Sequence, residues 1–229
     1  MSWNWNNESL HQYTPRNYMA DGVVYIQDEI NEENCAFMIG DMHKFIMQED
    51  NTGKELNIVI NSPGGSVDVM TQISALMTMA KLRGIKVVTW VLGWAASAGS
   101  LIAVQGDDRW MSRNAFHMIH FGSIWENFTK ETEIEKSFKF TQEYTKRMQN
   151  IYLDHCPKLT PSKLKELEED EMGRLWADEC LKLGICDHII EDDYDEKLRV
   201  EAESNQLLEE LLKYKKQKEK SQKAKSKKK

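Results

Sequence analysis

Cysteine, proline and metal-ligand patterns are all sparse in this chain. Its four cysteines stand at Cys35, Cys156, Cys180 and Cys186. Their scatter matches neither a disulfide framework nor a zinc-ligand or redox spacing, so they read as reduced, buried residues. Four prolines in 229 residues exclude a proline-rich linker or fibrous chain. No Gly-x-x-x-x-Gly-Lys motif occurs. Any ATP chemistry therefore belongs to a partner, and no metal or organic cofactor is expected. The opening residues lack a basic segment followed by an apolar one, so a secretory signal is not expected and the reading is cytoplasmic. The uncharged run from Val87 to Val104 has 18 residues. Gly93, Ser97, Gly99 and Ser100 interrupt it, so it reads as a buried strand turning into a buried helix rather than a membrane span.

What is present is the composition of one globular domain: 41% hydrophobic and 29% charged residues. The net charge of −7 hides an asymmetry. Residues 213–229 hold ten Lys and one Glu, a tail of +9, which leaves −16 on the rest. The acidic body is a poor nucleic-acid binder. Only the lysine tail, otherwise a solvated and disordered extension, has the charge for such a contact.

Three segments follow: an irregular arm over 1–22, a main domain over 23–203, and a tail over 204–229 that starts helical and dissolves into lysines. Within the domain, 22–26 is a short strand and 31–49 a helix with Phe37, Met38, Met42, Phe45 and Ile46 at three- and four-residue spacing. Leu56–Ile60 is a buried strand, Val67–Leu82 a helix ended by Gly84, and Ile85–Leu92 another strand. Short strands follow at 109–111 and 117–119. Residues 126–154 form a long polar helix carrying several aromatics, which either packs on a partner subunit or caps a sheet edge. Thr160-Pro161 starts a helix, Ala177–Leu183 is a short helix stopped by Gly184, and Ile185–Ile190 is a last strand. Strands alternating with helices predict an α/β fold with a largely parallel sheet.

Three pieces carry chemistry. Gly93-Trp-Ala-Ala-Ser-Ala-Gly99 joins a predicted strand to a predicted helix. Such a turn lifts the Ser97 hydroxyl above the sheet, beside the free N–H groups of a helix N-terminus. This is nucleophile-elbow logic, with Ala95 where the Gly-x-Ser-x-Gly form has its first glycine. Asn61-Ser-Pro-Gly-Gly-Ser66 also follows a strand, so its glycine amides belong to the same edge of a parallel sheet. In Phe116-His-Met-Ile-His-Phe121, alternation puts His117 and Ile119 on one face and Met118 and His120 on the other. Only one of the two histidines can face Ser97.

The order Asn-Ser-Pro-Gly-Gly, helix, strand, Gly-x-Ala-Ala-Ser-x-Gly, small-residue helix, Met-Ile-His and long helix resembles the ClpP family, the proteolytic subunits of ATP-dependent Clp proteases. Glu179-Cys-Leu-Lys-Leu-Gly-Ile-Cys-Asp187 is similar to that family's closing segment. The resemblance covers roughly residues 23–191. It implies a crotonase/ClpP-like fold of repeated β-β-α units with a protruding long helix. It also implies a Ser–His–Asp endopeptidase with Ser97 as nucleophile, His120 as general base, and the Gly65 and Ala98 N–H groups as oxyanion hole. At the family's aspartate position stands Met172. Asp170, reached through a two-residue insertion, is the candidate third member, with Glu171 beside it; the alternative is a Ser97–His120 pair with a water.

The resemblance further implies homo-oligomeric rings of seven, stacked in pairs around a chamber, with the long helix between rings. Polypeptide substrates would be fed by an AAA+ unfoldase. Residues 1–22 lack the family's usual start, which leaves unfoldase docking open. Competing readings are a non-catalytic ring subunit, a viral-type capsid or assembly peptidase, and a crotonase-like acyl-CoA enzyme. The last needs neither the Ala-Ala-Ser block nor His120.

Overall fold

The computed structural model describes residues 22–121, 131–169 and 173–191, together with Lys213. The chain divides into two compact units, Met1–Ile189 and Ile190–Lys229; the fold is that of the first. Its order is β1 (Val23–Gln27), α1 (Glu32–Met47), β2 (Glu55–Ser62), α2 (Val67–Leu82), β3 (Lys86–Ala96), α3 (Ala98–Val104), β4 (Asp108–Met111), β5 (Phe116–Met118), α4 (Glu131–His155), α5 (Pro161–Glu169), β6 (Arg174–Trp176), α6 (Ala177–Leu183) and β7 (His188–Ile189).

The helices start where side chains can cap them. The Asn31 side chain accepts from the Asn34 amide at 2.8 Å and opens α1. α1 buries Cys35, Met38, Met42, Phe45 and Ile46, one apolar stripe at helical spacing. The Ser66 side chain caps α2, which buries Val69, Met70, Ile73, Leu76, Met77 and Ala80. Gly84, at φ 74°, takes the left-handed conformation that stops this helix. In β2, Leu56, Ile58 and Ile60 alternate into the core without measurable exposure. Each such side chain contributes about 1.5–3 kcal/mol.

β1, β2, β3, β4 and β7 run parallel, side by side in that order. β3 changes partner along its length. Val88–Val91 pair with β4, whereas Trp94, Ala95 and Ala96 pair with Phe116, His117 and Met118 of β5. Against β2 the register moves from Ile60↔Val91 to Ser62↔Ala95, so β3 holds two extra residues there. This is why the segment from Gly93 to Ala96, read from sequence as part of a turn, is strand: its backbone is claimed by β5, and only Ser97 makes the turn.

β6 pairs antiparallel with β5. The last strand is shorter than the predicted 185–190. The Ile185 amide closes α6 by donating to the Cys180 carbonyl at 2.8 Å, and the Asp187 amide donates to the Arg109 carbonyl at 2.8 Å. The Asp187 carboxylate in turn takes the Arg109 guanidinium on both oxygens, at 2.9 and 2.6 Å. Arg109 Nη1 also donates to the His155 carbonyl, tying the end of α4 to the sheet. All four cysteines are free and buried. Among the described residues, no helix is long and apolar enough to cross a membrane; the uncharged run is β3 followed by α3. The start of the predicted 126–154 helix and, Lys213 apart, the predicted helical tail lie outside the described residues.

Candidate active site

Ser97 sits between the end of β3 and the start of α3, at φ 52° and ψ −121°. It is one of two described non-glycine residues with positive φ, the other being Asp28. An L-residue held there costs on the order of 1–3 kcal/mol and persists only when its surroundings fix it. Those surroundings are explicit. The Ser97 amide donates to the Met118 carbonyl at 3.0 Å, and the Ser97 carbonyl accepts from the amides of Ser100 and Leu101 at 3.0 and 3.1 Å. Ser100 Oγ donates to the same carbonyl at 2.7 Å. Since that proton is used, Tyr152 of α4 donates its own hydroxyl to Ser100 Oγ. The Ser97 side chain makes no capping bond to the helix it opens, and Oγ has no hydrogen-bond partner among the described residues.

The Gly-Gly loop presses on this elbow. A Cβ added at Gly64 would lie 2.6 Å from the Ala96 carbonyl oxygen and 2.7 Å from Ser97 Cβ; one added at Gly65 would lie 2.3 Å from the Ile30 carbonyl oxygen. Both glycines have positive φ, 98° and 144°, so side chains are excluded by space and by backbone. Ser62 holds the loop from below: Oγ donates to the Asp28 carbonyl at 2.6 Å and accepts from the Gly64 amide at 3.1 Å. The Ile30 amide donates to the Gly64 carbonyl and the Ser66 amide to the Ile30 carbonyl. This bridge leaves the Gly65 N–H out. The Ala98 amide belongs to the first turn of α3, where helix amides have no intrahelical acceptor.

His120 and Ser97 leave neighbouring parallel strands at the same end, since Ala96 pairs with Met118. His117 and Ile119 are buried, with His120 half-exposed, as strand alternation requires. Burial, with the Arg109 charge adding to it, pushes the His117 imidazole down to about 3. Its Nε2 finds no partner among the described residues, so it is a neutral core histidine packed edge-on to Tyr152.

Gly65, Ser97, Ala98 and His120 all line one cavity of about 490 Å³. Asp170, with Glu171 and Met172, lies outside the described residues. Four residues of the site escaped sequence reasoning. Ser100 and Tyr152 position the elbow, and Asp68 and Tyr144 also line the cavity. A serine three residues after an elbow serine is a usable signal for the first; the α4 tyrosines carry no signal until α4 is placed against α3. Among the described residues no cluster of His, Cys, Asp or Glu could hold a metal ion.

Comparison with known proteins identifies the family. Residues 7–193 match the Clp protease family. That match begins within the N-terminal arm, further upstream than the motifs alone reached. An ATP-dependent Clp protease proteolytic subunit of Streptococcus mutans is 32% identical over 181 residues, covering 76% of this chain and 87% of that one. The protein of the same name from Streptococcus uberis is 32% identical with the same coverage. That from Leuconostoc citreum is 28% identical over 77% of this chain and 86% of its own. The mixed α/β architecture with its mostly parallel sheet is that of the ClpP/crotonase fold, and with a match over residues 7–193 the chain belongs to the Clp protease family.

Proposed function

We propose that the protein is a serine endopeptidase that cleaves unfolded polypeptides by acyl transfer. The observation that carries this reading is Ser97, held at φ 52° with a side chain that caps no helix, in one cavity with His120, Gly65 and Ala98. His120 takes the Ser97 proton as Oγ attacks the scissile carbonyl. The Gly65 and Ala98 N–H groups hold the oxyanion. Collapse of the intermediate expels the amine, which leaves with the proton from His120, and water then hydrolyses the acyl-enzyme. Asp170 is the proposed third member, orienting His120.

The proposed setting is a chamber of stacked homo-oligomeric rings. α4 supports it: Ile134 and Phe138 stand one turn apart and are 54% and 62% exposed, an apolar face suited to another subunit. The relatives' name, with its reference to ATP dependence, motivates an AAA+ unfoldase as partner. The test is digestion of an unfolded polypeptide by the full chain, with native mass read in parallel. Cleavage lost in Ser97→Ala and in Asp170→Asn but kept in Glu171→Gln supports the triad. Rings without cleavage favour the second reading, a non-catalytic ring subunit, for which Met172 at the family's aspartate position is the motivation.

A further inference from the structure

The cavity that Ser97 lines also carries a charged residue. Leu101, Phe121 and Met148 give it apolar walls, and Asp68 from the first turn of α2 lines it with them. Asp68 is exposed and has no ion pair or hydrogen bond among the described residues. Its place near a helix N-terminus suits a carboxylate but supplies no counter-cation. Tyr144 of α4 lines the same cavity. Its hydroxyl is shielded from solvent yet finds no partner among the described residues, an arrangement that costs stability unless something else completes it. Burial and the Asp68 charge push that hydroxyl up to about 12, so it stays protonated and neutral and its oxygen can accept a hydrogen bond. A cavity with apolar walls that is also lined by a carboxylate and a hydroxyl, both without a partner among the described residues, fits a side chain with a long aliphatic stem and a cationic head.

We infer that Asp68 and Tyr144 form a specificity pocket for a lysine or arginine side chain on the acyl side of the bond to be cleaved, with Asp68 pairing the cation and Tyr144 accepting a hydrogen bond from it. The inference rests on the peptidase reading for its use but not for its test. Asp68 and Tyr144 are specificity residues here, with no part in the acyl-transfer steps.

The experiment measures binding of short peptides ending in Arg, Lys or Leu to the full chain carrying Ser97→Ala, where no chemistry is needed. The Arg- and Lys-ended peptides are expected to bind about tenfold tighter than the Leu-ended one, the order of a charge-assisted contact at a partly exposed site. Adding Asp68→Asn should erase that gap while leaving Leu-ended binding within about twofold. Tyr144→Phe should narrow it without unfolding the chain. Equal or tighter binding of the Leu-ended peptide, or a gap that survives Asp68→Asn, overturns the inference. Hydrolysis of matching amide substrates by the chain with Ser97 intact separates the two readings. Cleavage without cationic preference sinks the pocket alone, and cationic preference in binding without any cleavage sinks the peptidase reading alone.

Discussion

The Ser97 amide donates to the Met118 carbonyl at 3.0 Å. That single bond joins the elbow to the strand that ends two residues before His120. Because Ala96 also pairs with Met118, Ser97 and His120, the proposed nucleophile and base, emerge from adjacent parallel strands at the same height. Their relative placement is a property of the sheet rather than of a loop.

The backbone at Ser97 gives a first prediction. A glycine adopts φ 52° without a Cβ penalty. Ser97→Gly should therefore be more stable than Ser97→Ala by about 1 kcal/mol, with both inactive. Thermal unfolding of the two variants checks this. Equal stability would mean the positive φ stores no strain.

The Gly-Gly loop gives a second. Gly65→Ala would put a Cβ 2.3 Å from the Ile30 carbonyl oxygen, where backbone, not a flexible side chain, must give way. The expected cost is about 2–3 kcal/mol, with the Ile30–Gly65 bridge broken and peptide cleavage reduced at least about a hundredfold through the displaced amide. Cleavage close to that of the unaltered chain would contradict the assignment of this amide to the oxyanion hole.

How far these features could be read from the sequence depends on their range. The extent of α2 was legible because its apolar residues recur at three and four and Gly84 stops it; both signals are local. That His117 and His120 lie on opposite faces was legible from strand alternation; the choice of His120 came from the family resemblance. The reach of β3 through Ala96 was not, because the extra two residues opposite β2 exist only to let the strand pass from β4 to β5. The Ser100–Tyr152 contact spans 52 residues and depends on the packing of α4 against α3. That Asp68 and Tyr144 line one cavity has the same origin.

That contact yields a third prediction. The Tyr152 hydroxyl donates to Ser100 Oγ, which donates to the Ser97 carbonyl. Tyr152→Phe leaves the ring in place and removes the first donor. It should cost about 1–2 kcal/mol and lower kcat several-fold with little change in KM, since the elbow loosens while the cavity walls stay. A loss confined to stability would assign Tyr152 to packing alone.

His117 sets a pH dependence. Its pKa falls from 6.5 to about 3 on folding, through burial. Above pH 6.5 both folded and unfolded chains hold it neutral, and its full contribution is present. Between pH 6.5 and 3 the unfolded chain binds a proton that the fold refuses, so stability falls with decreasing pH by up to about 1.4 kcal/mol per unit from this group. In His117→Leu the slope of unfolding free energy across that window should be shallower by one proton. Parallel slopes in the two proteins would show that His117 is protonated in the folded chain.

The most direct test of the central claim is fluorophosphonate labelling of the full-length native protein, with the modified residue located by mass spectrometry. A single adduct on Ser97 is expected, absent in Ser97→Ala and strongly slowed in His120→Ala but not in His117→Leu. An assembled, folded protein that takes no label at Ser97 would contradict it.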